Sequence, residues 1–254
     1  GVNGKIEFCF DTERQTKPTI LEDGSVDFRN LNIIQNVKQG EILCNVLPPV
    51  PGKAGTNVLG IKLPVINGKP AVLPKGKNVV VSENQANILA GLDGQVSYLD
   101  GKVNVFSSYE VHANVDNSTG NISFVGNVIV RGNVLSGFSI DAGGSVEVWG
   151  VVEGAYIKAG GDIILKRGMQ GLGKGILISG GDVVARCIEN SKVAAIRDIK
   201  AEAIMHSEVK CGNKVELIGK KGLLVGGVCK AGKEICAKVI GSTMATLTEI
   251  EVGV

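Results

Sequence analysis

The sequence predicts an all-β protein: a right-handed parallel β-helix (β-solenoid) of about eight coils, preceded by a small β-rich N-terminal domain. Three observations carry that expectation. Glycine accounts for 36 of 254 residues while aromatics are only 4%, which suits many short strands joined by tight turns. All seven prolines, from Pro18 to Pro74, precede residue 107, and this shift divides the chain into residues 1–106 and 107–254. Beyond the division, a short apolar alternation recurs every 15 to 20 residues.

The recurring unit is a polar residue followed by apolar, any and apolar. It begins at Asn127, Ser145, Asp162, Asp182, Asp198, Lys214 and Glu234, with an earlier copy at Glu110 and a last one at Glu249. The last copy reads as the start of a ninth coil. A second column, apolar-x-small-Gly, runs through Ile140-Asp141-Ala142-Gly143, Ile157-Lys158-Ala159-Gly160, Leu177-Ile178-Ser179-Gly180, Val209-Lys210-Cys211-Gly212 and Cys229-Lys230-Ala231-Gly232. A third holds Leu135, Val152, Ile188, Ile204 and Leu224. Side chains alternate across a strand, so each coil offers a few inward apolar groups that it cannot bury alone. Stacking the coils at about 4.8 Å builds one continuous core. Spacings of 16, 17 and 20 residues are not multiples of six, which favours the right-handed form over left-handed hexapeptide solenoids.

Residues 1–106 read as one or two small β modules. Val37–Leu43 carries a turn between two short strands, and Ile88–Leu92 is a short apolar run. Asp100-Gly101 is a two-residue hairpin signal between 96–99 and 102–105. The prolyl segment from Pro48 to Gly55 suits neither helix nor central strand, so it is expected to be an exposed loop.

Charge narrows the function classes. The net charge is +2, which argues against a dedicated nucleic-acid binder. No apolar run approaches 18 residues, so no membrane span is expected. The chain opens Gly1-Val2-Asn3-Gly4 without a signal peptide's basic and apolar regions. Six cysteines, no CxxC and two histidines give no metal site and point to reduced cytosolic thiols. Cys211 and Cys229 fall on inward positions, whereas Cys236 is outward and reads as the most reactive thiol, with Lys233 and Lys238 lowering its pKa.

Two longer coils draw attention. Their insertions lie in 166–175 and 219–222, both before the second column, and are expected to bulge from one side. Lys166, Arg167, Lys174, Lys220 and Lys221 would then form one basic patch for an acidic protein partner. Gly52 and Gly55 of the prolyl loop are a second expected contact. Gly168-x-x-x-x-Gly173-Lys174-Gly175 is a near-miss for a phosphate loop, lacking the Ser/Thr and a following helix. His206 aligns with Gly137, Gly154, Asn190 and Gly226, where positive φ recurs, so it reads as a turn residue rather than a catalytic base. Asp162, Asp182 and Asp198 align on successive coils, either as turn aspartates capping local amides or as a cation ladder of the calcium-dependent lyase kind. No catalytic residue and no cofactor is expected.

Several segments resemble the flagellar assembly protein A family. They include Asp116-Asn117-Ser118-Thr119-Gly120-Asn121-Ile122, Val151-Val152-Glu153-Gly154, Ala159-Gly160-Gly161-Asp162-Ile163, Lys220-Lys221-Gly222 and Thr248-Glu249-Ile250-Glu251-Val252. The prolyl loop Pro51-Gly52-Lys53-Ala54-Gly55-Thr56-Asn57-Val58-Leu59-Gly60 matches a further landmark. The resemblance implies a bacterial cytoplasmic protein with a right-handed β-helix and no catalysis. It also implies a role in flagellar placement and a phosphotransfer-system component as partner. Many members carry a further helical C-terminal region, so the chain reads as a fragment or short form. The expected function is a non-catalytic scaffold or localisation protein. The alternatives are a self-assembling, homo-oligomeric β-helix, a carbohydrate-active enzyme and an acyltransferase.

Overall fold

The computed structural model describes residues 1–13, 19–20, 26–27, 29, 31 and 33–253; Pro18 and Val254 lie outside the described residues. The protein is all-β, with no helix among the described residues, and residues 108–252 form a parallel solenoid of about eight turns. Two compact units divide the chain: residues 1–15 with 35–107, and residues 16–34 with 108–254.

Three columns of inward side chains build the solenoid. The first stacks Tyr109, Val128, Val146, Ile163, Val183, Ile199, Val215 and Ile235 in parallel register. Ile122, Ile140, Ile157, Leu177, Val193, Val209, Cys229 and Ile250 make the second. The third holds Val115, Val134, Val152, Met169, Ile188, Ile204, Leu224 and Ile240. Nearly all of these side chains are sealed from solvent in one continuous core until the eighth coil, where Ile240 and Ile250 are exposed. Each fully buried aliphatic side chain contributes roughly 1.5–3 kcal/mol.

The glycines that close the second column have a steric cause. A Cβ on Gly160 would lie 2.2 Å from the Gly143 carbonyl oxygen, and one on Gly180 would lie 2.2 Å from that of Gly160. The coils therefore approach too closely at that corner for a side chain pointing along the stack. Ile196 breaks the column and turns outward into solvent.

Four details differ from the pattern reading. The first coil pairs Ser108 with Asn127, two residues earlier than expected, because Tyr109 packs inward near Phe124 while Glu110 faces out to Arg131. In the second coil Val134 is the fully buried third-column residue and Leu135 is half-buried beside it. Thr248–Val252 pairs with 227–231, so it completes the second column of the eighth coil rather than opening a ninth. Finally, the first coil is covered by residues from far upstream. Leu31 is buried against it, and the Asn121 N–H donates to the Arg29 carbonyl (2.5 Å). Gly120, with φ of 72°, is needed there: its Cβ would lie 2.6 Å from that carbonyl and 3.2 Å from the Leu31 side chain.

The other unit contains two larger antiparallel sheets and a two-stranded one, Gly55–Thr56 with Lys62–Leu63. One of the larger sheets runs Lys5–Phe8, Ile42–Leu47, Asn87–Ala90 and Val79–Val81; the other runs Lys102–Phe106, Gly94–Leu99 and Asn36–Val37. Between them lie Leu43, Ile88, Val96, Val103 and Val105. The expected hairpin forms, with Asp100 and Gly101 at φ of 51° and 72°. Asn36–Val37 and Ile42–Leu47 do not pair with each other but go to different sheets, and Gly40 donates to the Ala90 carbonyl instead.

Truncating a core side chain midway along the stack tests this packing. Ile204→Ala should cost about 3–4 kcal/mol, and Leu31→Ala about 2 kcal/mol by uncovering the first coil, measured by denaturant unfolding.

Candidate functional site: the corner between the first and third columns

The residue that follows the last inward side chain of each first-column segment points outward. Its successive copies are His112, Arg131, Trp149, Lys166, Arg186, Glu202, Ile218 and Lys238. Backbone hydrogen bonds hold this column in register: Arg131 to Val111, Trp149 to Val130, Lys166 to Val148 and Ile218 to Ala201, all 2.8–2.9 Å. The stacking brings unlike side chains together in a defined order. The Arg131 guanidinium lies 4.4 Å from the Trp149 ring centre, and the Lys166 ammonium, from the coil on the other side, lies 6.0 Å from it. Trp149, the chain's only tryptophan, stays 46% exposed.

Carboxylates on the same face pair with part of this charge. Arg131 pairs with Glu110, Lys166 with Glu147 (3.1 Å) and Arg186 with Glu202 (3.7 Å). The hydrogen bond from Arg131 holds the Glu110 carboxyl below its ordinary pKa. Exposed pairs of this kind contribute little stability. Arg167, Lys220 and Lys221 are exposed and form no ion pair among the described residues, so the corner keeps a positive excess. Next to it lies a shallow depression of about 390 Å³ with Ile164, Val184 and Ile218 in its lining and Lys166, Arg186, Lys200 and Glu202 around them.

The five expected cations do not share one side. Lys166 and Arg167 stand at this corner in the fourth coil, and Lys220 and Lys221 stand there in the seventh, three coil spacings or roughly 14 Å along the stack. Lys174 belongs to a bulge between Gln170 and Gly175, at the corner between the third and second columns. The two insertions thus bulge at different corners. Gly168 and Gly173-Lys174 are separated by a turn of the coil, and an extended strand, Met169–Ser179, runs through the near-miss phosphate loop. Gly52 sits where a side chain has no room, its Cβ 2.4 Å from the Ile66 carbonyl oxygen, and Gly55 is exposed.

The aspartate column does something other than cap its own turns. Asn127 Oδ1 accepts from Ser145 N, Ser145 Oγ from Asp162 N, Asp162 Oδ1 from Asp182 N, Asp182 Oδ1 from Asp198 N and Asp198 Oδ1 from Lys214 N, at 2.8–3.2 Å. Each polar side chain caps the amide of the next coil. Arg197 bridges Asp162 (2.7 Å) and Asp182 (3.1 Å). Among the described residues no three His, Cys, Asp or Glu side chains group as metal ligands.

His206 has φ of 49°, in a column with Gly137 (85°), Gly154 (41°), Asn190 (47°) and Gly226 (69°), and it is exposed without a carboxylate partner among the described residues. Cys236 departs from expectation. Its thiol hydrogen-bonds the Glu234 carboxylate at 3.1 Å, which raises its pKa rather than lowering it. Burial raises Cys211 as well, and pushes Cys229 from 9.0 to about 12.

Residues 107–254 match the Flagellar Assembly Protein A beta solenoid domain, and residues 1–101 match the Flagellar Assembly Protein A N-terminal region. The chain belongs to the flagellar assembly protein A family. No curated protein and no solved structure matches it. In this family member the sequence reading found Lys166, Arg167, Lys220 and Lys221 but missed Arg131, Trp149, Arg186, Lys200 and Ile218. A signal was available for Arg131, Trp149, Arg186 and Ile218, since all stand one residue after the last inward side chain of a first-column segment. Among the described residues no helix is long and apolar enough to cross a membrane.

Three outcomes follow. Asp182→Ala removes the acceptor for Asp198 N and one carboxylate from Arg197, and should cost about 1 kcal/mol or more in denaturant unfolding; Asp182→Asn keeps an acceptor and should cost less. Thiol labelling of the native protein should modify the exposed Cys9 and Cys236 and spare Cys44, Cys211 and Cys229. A raised thiol pKa contributes stability that is complete below the unfolded value. Stability should therefore fall as pH climbs from about 9 towards 12, read by thermal melts at stepped pH.

Proposed function

We propose that this protein is a non-catalytic cytoplasmic scaffold of flagellar assembly, and that the corner between the first and third columns recruits an acidic protein. The observation that carries the reading is the cation set Arg167, Lys220 and Lys221, which forms no ion pair among the described residues and stands at one corner about three coil spacings apart, in turns that flank paired strands. Such a surface steers an oppositely charged partner and selects it by spacing. The adjoining depression supplies apolar floor for an anchoring side chain, with Lys166, Arg186 and Lys200 around it. The phosphotransfer-system component implied by the family resemblance is one protein of this kind to test. The scaffold reading also draws on what the polar columns do: the aligned aspartates are engaged by amides and Arg197, and His206 serves a turn.

A second reading, self-association, draws on the outer edge of the eighth coil, where Ile240, Leu247, Ile250 and Val252 are exposed. Arg29, Leu31 and Ile34 lie against the first coils, so contact through the eighth would join like ends. A rise in sedimentation coefficient with concentration, abolished by Ile250→Lys, supports this reading; a constant monomer value removes it.

Trp149 reports on the recruiting corner from its place between Arg131 and Lys166. Titrating an acidic partner captured from a flagellated bacterium should change its emission. The variant Arg167→Glu with Lys220→Glu and Lys221→Glu should weaken binding at least about tenfold, with an effect that shrinks at high salt. Equal binding by this variant, or a larger loss from Lys174→Glu alone, would place the contact elsewhere.

A further inference from the structure

Residues 53–66 of the N-terminal unit form a projecting arm that the unit does not cover. Gly55–Thr56 pairs with Lys62–Leu63, and the chain turns between them through Asn57, Val58, Leu59 and Gly60. Val58 is fully exposed, Leu59 is 78% exposed and Ile66 is 82% exposed; Ile61, Leu63 and Val65 are exposed as well. The least covered of these, Val58 and Leu59, stand together at the tip, while Val65 lies back near Gly52 at the base. Large exposed apolar residues clustered in this way mark an interaction surface.

Two further observations say what surface it fits. First, the charge is of one sign. Between Glu41 and Glu83 there is no acidic residue, while Lys53, Lys62, Lys69, Lys75 and Lys77 are all exposed. Second, the tip satisfies its own backbone. The Asn57 side-chain oxygen accepts from the Leu59 and Ile61 N–H groups (3.0 and 2.9 Å), Asn57 N–H donates to the Ile61 carbonyl (3.0 Å), and Gly60 N–H donates to the Asn57 carbonyl (3.0 Å). A turn that enters an apolar medium must leave few donors unpaired. Its base is pinned as well: Val2 and Val50 exchange backbone hydrogen bonds, Gly52 N–H donates to Asn67 Oδ1, and Lys69 N–H donates to Asn3 Oδ1.

We propose that this hairpin docks the protein on an anionic lipid bilayer, with Val58, Leu59 and Ile61 entering the interfacial region and Lys53, Lys62 and Lys69 meeting the lipid phosphates. A bare apolar tip with lysines behind it and no carboxylate nearby suits a surface that is anionic outside and apolar beneath. The lysines add attraction to a negatively charged leaflet. A short arm of this kind gives reversible attachment, not a span. None of these residues belongs to the solenoid corner, so this inference and the recruiting function stand or fall separately.

The test is sedimentation of the full chain with vesicles of phosphatidylcholine, with and without phosphatidylserine. The wild type should partition onto the serine-containing vesicles and much less onto the neutral ones. Val58→Asp with Leu59→Asp, at exposed positions that bury nothing in the fold, should lower partitioning at least about tenfold. Lys53→Gln and Lys62→Gln should lower it about fivefold each. No partitioning by the wild type, or undiminished partitioning by the double-Asp variant, would overturn the proposal. So would loss of partitioning in Lys220→Glu with Lys221→Glu, which would give lipid binding to the solenoid. A double-Asp variant that turns a lipid-free dimer into a monomer would show a second copy covering the arm, and would overturn it too.

Discussion

Everything in the solenoid depends on the hydrogen-bonded ladder between consecutive coils. Each strand lies directly over its counterpart, so residues 16 to 21 apart in sequence become neighbours at the strand spacing of about 4.8 Å. That spacing leaves no freedom in what stacks on what. Inward it stacks Val, Ile and Leu into three columns of eight. At the tight corner after the second column it leaves no room for Cβ atoms, and glycine recurs there for that reason. Outward it sets Arg131, Trp149 and Lys166 in consecutive rungs, and an aromatic ring among cations results from register alone.

The same ladder explains why the aligned polar groups are structural. A side chain at the start of a first-column strand has the amide of the next coil within reach, and Asn, Ser and Asp all serve as acceptors for it. Three stacked aspartates would repel if left unpaired. Arg197 sits between two of them, and the ammonium of Lys214 pairs with Glu234 further along the same column. The chemistry that such a column suggests in sequence is used up in holding coils together. Among the described residues, the corner cations Arg167, Lys220 and Lys221 form no ion pair and stay open to outside partners.

Much of this was legible before any coordinates. Inward columns announce themselves because apolar alternation, small residues and glycine repeat together, and the turn role of His206 followed from its alignment with Gly and Asn. Legibility failed where a pattern fits two places. Glu249-Ile250-Glu251-Val252 has the alternation of either strand column, and only Gly253 behind it marks the second. Glu110-Val111 fits the first column as well as Tyr109-Val111 does until Phe124 and Arg131 are placed beside it. An insertion's corner is invisible when counting starts from the following column, so Lys174 was grouped with Lys220. The covering of the first coil by Leu31 was not legible at all, since one buried leucine in an unremarkable segment carries no period. Most of the prolyl segment Pro48–Gly55 is exposed as expected, but the bare apolar tip at Val58 and Leu59 beyond it carries no period that a sequence pattern could reveal.

The covering of the first coil also bears on the order in which the chain is made. Arg29, Leu31 and Ile34 leave the ribosome well before Asn121, whose amide the Arg29 carbonyl accepts, and residues 35–107 are synthesised in between. Leu31 and Ile34 are thus made before the coil they pack against. Each coil contacts only its neighbours, so stacking from the first coil onward follows the order of synthesis, with each coil a template for the next.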